Sequence, residues 1–240
     1  MPEDQRPPAA RHLRLLAEGE IEIVGRMPWS SNHTFLVTCT LEDEEVSAVY
    51  KPGRGERHLW DFPEPIYRRE VAAYALSRAL GWNLVPETVE RDDAPLGPGS
   101  LQLFIAADFS QHHFTLVEDE DYHDQLRTIC AFDVVANNAD RKSGHCILGD
   151  DGRIWAIDNG LCFHTEPKLR TVIWEFAGQV LPTGLVDDLA RVAEAPPESL
   201  RALLSAREVQ AVSRRARALI KAGRFPVPDP DTHHYPWPLV

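Results

Sequence analysis

The sequence predicts an α+β protein in two parts, a mainly antiparallel sheet carrying one helix and then a mainly helical half. Three observations lead there. Apolar residues alternate with polar ones over Glu20–Arg26, Thr34–Leu41 and Val46–Tyr50, the period of half-buried strands. Tyr67–Leu80 is helix-forming throughout and stops at Gly81, a suitable C-terminal cap. After a break in the pattern at Ala106–Ser110, helical stretches predominate.

Residues 1–10 hold three prolines and several charges and are expected not to pack. Arg11–Glu18 can form a short helix. The three strands follow, with MPWSSNH as the first turn and the acidic 42–45 as a hairpin tip. Gly53–Pro65 is loop, and Pro65 suits the first turn of the Tyr67–Leu80 helix. Leu84–Glu90 and Ser100–Ile105 are further strands around a Pro/Gly turn. Tyr122–Asn138 is the long apolar helix of the second half. It leads into a polar loop and then a hairpin, with Cys146–Leu148 and Ile154–Ile157 joined by Gly149-Asp150-Asp151-Gly152. Asn159–Lys168 is irregular. Helices are expected at Thr171–Phe176, Gly184–Glu194 and Glu198–Ala222. The proline-rich 226–240 runs extended, with Tyr235 and Trp237 as anchors. The expected organisation is an extension at 1–19, an N-terminal lobe at 20–106, a C-terminal lobe at 107–225 and a tail at 226–240.

With 240 residues, 43% of them apolar and 26% charged, the composition is that of an ordinary globular protein. A net charge of −12 argues against nucleic acid or an anionic membrane as partner, though local basic residues can still hold phosphate. No apolar run is long enough for a membrane span. The N-terminus has no apolar core, and the four cysteines form no CxxC pair. Together these predict a cytoplasmic protein without stable membrane association, zinc or disulfides.

The chemistry-bearing residues fall in order along the chain. Lys51 closes the third strand, where it can hold phosphate oxygens or rest in solvent. Glu70, in the first turns of the following helix, can pair with Lys51 or serve the helix dipole. Ser30, Ser31, Asn32 and His33 form a polar turn whose backbone N–H groups can cradle an anion, or an ordinary hairpin loop. Asp133 interrupts an apolar helical run, and a buried carboxylate there needs partners, expected in the backbone N–H groups of the next loop. Asp140 opens that loop. It can accept a hydroxyl proton while Arg141 and Lys142 draw a phosphoryl group. His145 can ligate a metal or simply brace the loop. Asp158 follows the hairpin, and a carboxylate there can hold Mg²⁺ or form an Asp-Asn-Gly turn. The hairpin brings Asp140 and Asp158 toward one pocket.

VYKP at 49–52, NNADRKSGH at 137–145 and IDNG at 157–160 make the chain resemble the phosphatidylinositol 3-/4-kinase-like branch of the protein-kinase-like superfamily, in particular its small actinobacterial-type proteins. The resemblance spans roughly 20–180 and implies a two-lobed kinase-like fold. It also implies that Lys51 contacts ATP phosphates and is oriented by Glu70, that Ser30, Ser31 and Asn32 cover the phosphates, and that Phe104, Ile105 and Ala106 border the adenine. Asp140 becomes the catalytic carboxylate and Asp158 a ligand of Mg²⁺ or Mn²⁺. His145 stands where that family has a metal-binding asparagine, which implies a metal preference shifted from Mg²⁺ toward Mn²⁺, a single bound ion, or weak or lost activity.

The resulting expectation is an ATP- and divalent-metal-dependent phosphotransferase acting on a protein or small soluble acceptor. Two alternatives remain open on sequence: a catalytically weak or inactive nucleotide-binding module, and a metal-dependent hydrolase built on His145, Asp140 and Asp158.

Overall fold

The structure is a computed structural model and describes residues 8–27 and 33–240. It divides into two compact units, Met1–Val71 with Pro86–Ile105, and Ala72–Val85 with Ala106–Val240.

The first unit is a five-stranded antiparallel sheet. Its strands are β1 (Glu20–Arg26), β2 (Phe35–Leu41), β3 (Glu44–Pro52), β4 (Thr88–Arg91) and β5 (Gly99–Leu103), in the order β1-β2-β3-β5-β4. In β3, Ala48, Tyr50 and Pro52 are buried while their neighbours are not, as the two-residue period requires. Helix α1 (Pro8–Glu18) packs on the sheet through Leu16. Its last carbonyls are satisfied by Arg91, whose Nη1 donates to the Leu16 and Gly19 oxygens at 2.9 and 3.1 Å. The helix starts at Pro8 rather than at the expected Arg11, with Pro8 and Ala10 exposed. Proline at the first helical position loses no hydrogen bond.

Helix α2 (Tyr67–Leu80) matches the expected bounds. The unit boundary falls after Val71, within it. The carboxylate of Glu56 caps its start, accepting from the Ile66 and Tyr67 amides at 2.8 and 2.6 Å.

The second unit is mainly helical. Its core gathers Leu76 and Leu80 of α2 with α4 (His123–Ala136), α5 (Thr183–Glu194) and α7 (Ala206–Ala222). In α4, Leu126, Ile129, Phe132 and Val135 are buried, each contributing about 1.5–3 kcal/mol by removal from water. A small sheet, β6 (Ala107–Asp108), β7 (Cys146–Gly149) and β8 (Ile154–Ala156), holds the expected hairpin. The short helices α3 (His113–Leu116) and α6 (Glu198–Leu203) complete the elements.

Several expectations are corrected here. The strand expected at Leu84–Glu90 runs instead over Thr88–Arg91, because the amides of Leu84 and Val85 are taken by Ser77 Oγ and Pro86 has none. Thr171–Phe176 is not a helix, since its backbone bonds reach distant partners, Thr171 N to His234 O and Val172 N to Arg141 O. Glu198–Ala222 is two helices. Ser205 starts a new one with a reciprocal capping box to Glu208. In the tail, Trp237 is 87% exposed and Tyr235 is exposed too. The segment is held at other points: His234 O accepts from Thr171 N and Trp174 Nε1, Leu239 O accepts from Ser143 N, and the Leu239 side chain packs against the core of the second unit.

All four cysteines, 39, 130, 146 and 162, are free thiols and buried. Burial pushes Cys39 up to about 11 and Cys146 up to about 12, against the opposing influence of Arg91 and Arg141. No helix among the described residues is long and apolar enough to cross a membrane.

Candidate active site

Helix α4 ends at Asn137, whose left-handed backbone (φ 55°) turns the chain sharply. Its side chain ties that turn down. Nδ2 donates to the carbonyls of His164 and Glu166 at 2.9 and 2.7 Å, and Oδ1 accepts from Lys168 N at 2.9 Å. The next residue, Asn138, is fully buried. Its Oδ1 accepts from the Asp140 amide at 2.9 Å and its Nδ2 donates to Asp133 at 3.0 Å. The backbone of Asp140 is thus fixed from inside the unit.

Beyond Asp140 the loop splits its charges between interior and surface. Arg141 turns inward and is fully buried. Its guanidinium meets Asp133 at 2.9 Å, Asn159 Oδ1 at 2.6 Å and the Ile157 carbonyl at 2.8 Å. Thr171 Oγ1 adds a bond to Asp133 at 3.2 Å. A buried ion pair is favourable only when its remaining donors and acceptors are also bonded, and this network supplies those bonds. Two expectations change. Asp133 is held by side chains rather than by loop amides, and Arg141 is an internal brace rather than a cation offered to a phosphoryl group. Asn159 and Thr171, which sequence reasoning missed, belong to the same network. No local signal in the sequence marks them.

Asp140 itself lies nearer the surface, with Lys142 Nζ at 3.4 Å from its carboxylate. Burial raises its pKa to about 6, with Asp158 adding to the rise and Lys142 opposing it. A 3-10 turn over Ser143–His145 follows. His145 Nδ1 accepts from Lys142 N at 3.4 Å, and Nε2 lies 3.3 Å from Asp158 Oδ2. Asp158 sits just past β8 with φ 55°, a conformation aspartate tolerates better than most residues, and its side chain is half exposed. The second unit therefore brings Asp140, His145 and Asp158 together.

This donor set fits a hard divalent cation in one particular way. Among the described residues no three His, Cys, Asp or Glu side chains converge closely enough to hold a metal by themselves. Asp158 and His145 offer one oxygen and one nitrogen, and Asp140 stands near. Mg²⁺-type sites commonly use one or two carboxylates and fill the remaining positions with water and substrate phosphate oxygens.

In the first unit, Lys51 Nζ is paired with Glu70 Oε1, whose side chain is 3% exposed. The ammonium leaves β3, where Lys51 pairs with Ser100, for the first turn of α2. Glu56, which sequence reasoning missed, fixes the start of that helix. Phe104 and Ile105 are half-buried residues of the first unit, and the Phe104 amide donates to Ser47 O at 2.9 Å. Ala106 falls in the second unit, its carbonyl accepting from Asp150 N at 3.1 Å. Ser30, Ser31 and Asn32 lie outside the described residues.

Comparison with known proteins is consistent with this architecture. Structures resembling the chain include a Golgi casein kinase with Mn/ADP bound (TM-score 0.60, 16% identity, 93% of this chain and 80% of that one). They also include hydra Fam20 with sugar (0.54, 15%, 89% and 87%) and the Helicobacter pylori proinflammatory kinase CtkA (0.51, 11%, 88% and 94%). At these identities the likeness establishes the fold, and the fold is that of atypical protein-kinase-like enzymes. No protein-family model matches the chain. Protein Rv2133c of Mycobacterium tuberculosis is 38% identical over 266 aligned positions, covering 93% of this chain and 94% of that protein. With so much of both sequences aligned at that identity, this kinase-fold chain belongs to the family of Rv2133c.

Proposed function

We propose that the protein is an ATP- and divalent-metal-dependent phosphotransferase, an atypical kinase of the phosphatidylinositol 3-/4-kinase-like type acting on a protein or a small soluble acceptor. The observation that carries this reading is the Asp140, His145 and Asp158 cluster on a kinase fold, where burial raises the Asp140 pKa to about 6. Residues 20–106 form the nucleotide-binding lobe in this reading and 107–225 the catalytic one.

Phosphoryl transfer asks mainly for positioning and charge neutralisation. Lys51, held by Glu70, contacts the ATP phosphates, with Ser30, Ser31 and Asn32 covering them and Phe104, Ile105 and Ala106 bordering the adenine. Asp140 accepts the proton of the acceptor hydroxyl as its oxygen bonds to the γ-phosphorus. The bridging P–O bond then breaks and ADP departs with its electron pair. A carboxyl group with a pKa near 6 is largely ionised at pH 7 yet still basic enough to take that proton. Mn²⁺ or Mg²⁺ at Asp158 and His145 would supply neutralisation of the phosphate oxygens.

The test is ADP release with each ion in the wild type, Asp158→Ala and Lys51→Met. Each variant should lose on the order of 10²-fold or more, the usual cost of a charge-stabilising contact. Full metal-dependent turnover in Asp158→Ala would remove the assignment. One observation favours a second reading, a nucleotide-binding module without turnover: His145 Nε2 already lies 3.3 Å from Asp158 Oδ2. Calorimetric ATP binding with no ADP release on any acceptor would select it.

A further inference from the structure

Helix α7 borders a groove of about 450 Å³ that the phosphotransferase reading does not use. Its apolar wall comes from Val134 at the end of α4, Leu169, Leu219 and Pro226, with the small Ala218 and Ala222 between them. Small-molecule sites commonly have volumes of about 300–1,000 Å³ and mostly apolar walls with a few placed polar groups. Here the placed groups are cationic. Arg214, Arg215 and Arg224 all line the groove, and among the described residues no acidic side chain does.

Arg215 is the least exposed of the three. Its Nε donates to the Val135 carbonyl at 2.7 Å, in the last turn of α4, and its Nη1 donates to the His164 carbonyl at 3.2 Å. Those bonds satisfy a helix end. They leave Nη2 buried, with no hydrogen-bond partner among the described residues. A guanidinium hydrogen shut away from both water and an acceptor carries a desolvation cost. Burial lowers the Arg215 pKa to about 10, with Cys162 opposing the fall and the neighbouring Arg214 adding to it, so the group stays charged at neutral pH. Arg224 meets only the Gly178 carbonyl, and none of the three arginines has a carboxylate partner among the described residues. In a chain of net charge −12, that is a local excess of positive charge over an apolar floor. The larger groove on α7, lined by Arg201, Arg214 and Arg217, shares Arg214 with this one and differs in including an acidic residue, Glu194.

We propose that this groove is a second ligand site, taking a small amphipathic carboxylate. Its head pairs with the exposed Arg214 and Arg224, which match a carboxylate fork for fork, and its apolar body lies along Val134, Leu169 and Leu219. The site does not depend on the kinase reading.

The test is calorimetric titration of the full chain with decanoate, decanol and acetate, repeated on Ala218→Phe and Ala222→Phe. Both alanines are exposed on α7, so a larger side chain fills the groove without entering the core. Decanoate should bind saturably at one site. Decanol, lacking the charge-assisted bonds, should bind about tenfold more weakly or worse. Acetate, lacking the apolar body, should give no saturable heat. Either phenylalanine variant, confirmed folded by circular dichroism, should abolish the decanoate signal. Absence of saturable decanoate binding, equal binding of decanol, or decanoate binding that survives both variants overturns the proposal.

Discussion

The guanidinium of Arg141 and the carboxylate of Asp133 meet at 2.9 Å with neither side chain exposed to solvent. This contact joins the catalytic-loop candidate to α4, and through Ile157 and Asn159 it reaches the strand end that carries Asp158.

Replacing one partner leaves the other charge buried and uncompensated. Arg141→Met and Asp133→Leu should each destabilise the protein by about 3–5 kcal/mol, measured as a shift in denaturation midpoint. The double variant should cost clearly less than the two single costs together, because it removes both charges. Simple additivity would show that the pair does not act as a unit.

Asp140 sets a pH dependence of stability in the metal-free protein. Its pKa is raised from 3.8 to about 6 on folding, so between those values the folded state binds more protons than the unfolded one. Stability from this group therefore falls as pH rises from about 4 to about 6, by on the order of 2 kcal/mol, and then levels off. Asp140→Asn cannot titrate there. Its melting temperature should gain on the wild type across that range and keep the gain at pH 7.5. Parallel melting profiles from pH 4 to 7.5 would place the Asp140 carboxyl in water.

The imidazole nitrogen beside Asp158 bears on metal choice. Mg²⁺ takes oxygen ligands, whereas Mn²⁺ accepts nitrogen more readily. His145→Asn supplies an oxygen in the same turn, so the ratio of Mn²⁺- to Mg²⁺-supported ADP release should fall by about tenfold. An unchanged ratio would remove His145 from the metal's surroundings.

Local physics made much of this fold legible in the sequence, and long-range physics hid the rest. Tyr67–Leu80 was readable to the residue because its composition and its Gly81 stop are written in place. The break at Ser205 is equally local, a Ser-x-x-Glu cap, but the helix-forming residues on both sides of it mask it as one long helix. Thr171–Phe176 was different in kind. Its amides bond to His234 and Arg141, and nothing in the segment announces those partners. The site divides in the same way. Asp140, His145 and Asp158 were visible because a hairpin of short reach brings them together. The inward turn of Arg141 was not, since whether a cation is buried depends on an acid eight residues upstream and an amide eighteen downstream.

The four sealed thiols offer a built-in reporter of opening. A cysteine reacts with an alkylating reagent as thiolate, and burial keeps the reagent from all four. Modification must then wait for the surrounding structure to open. Cys39 belongs to the first unit, and Cys130, Cys146 and Cys162 to the second. Labelling rates resolved by peptide mass would clock the two units separately, with no probe introduced and no residue changed.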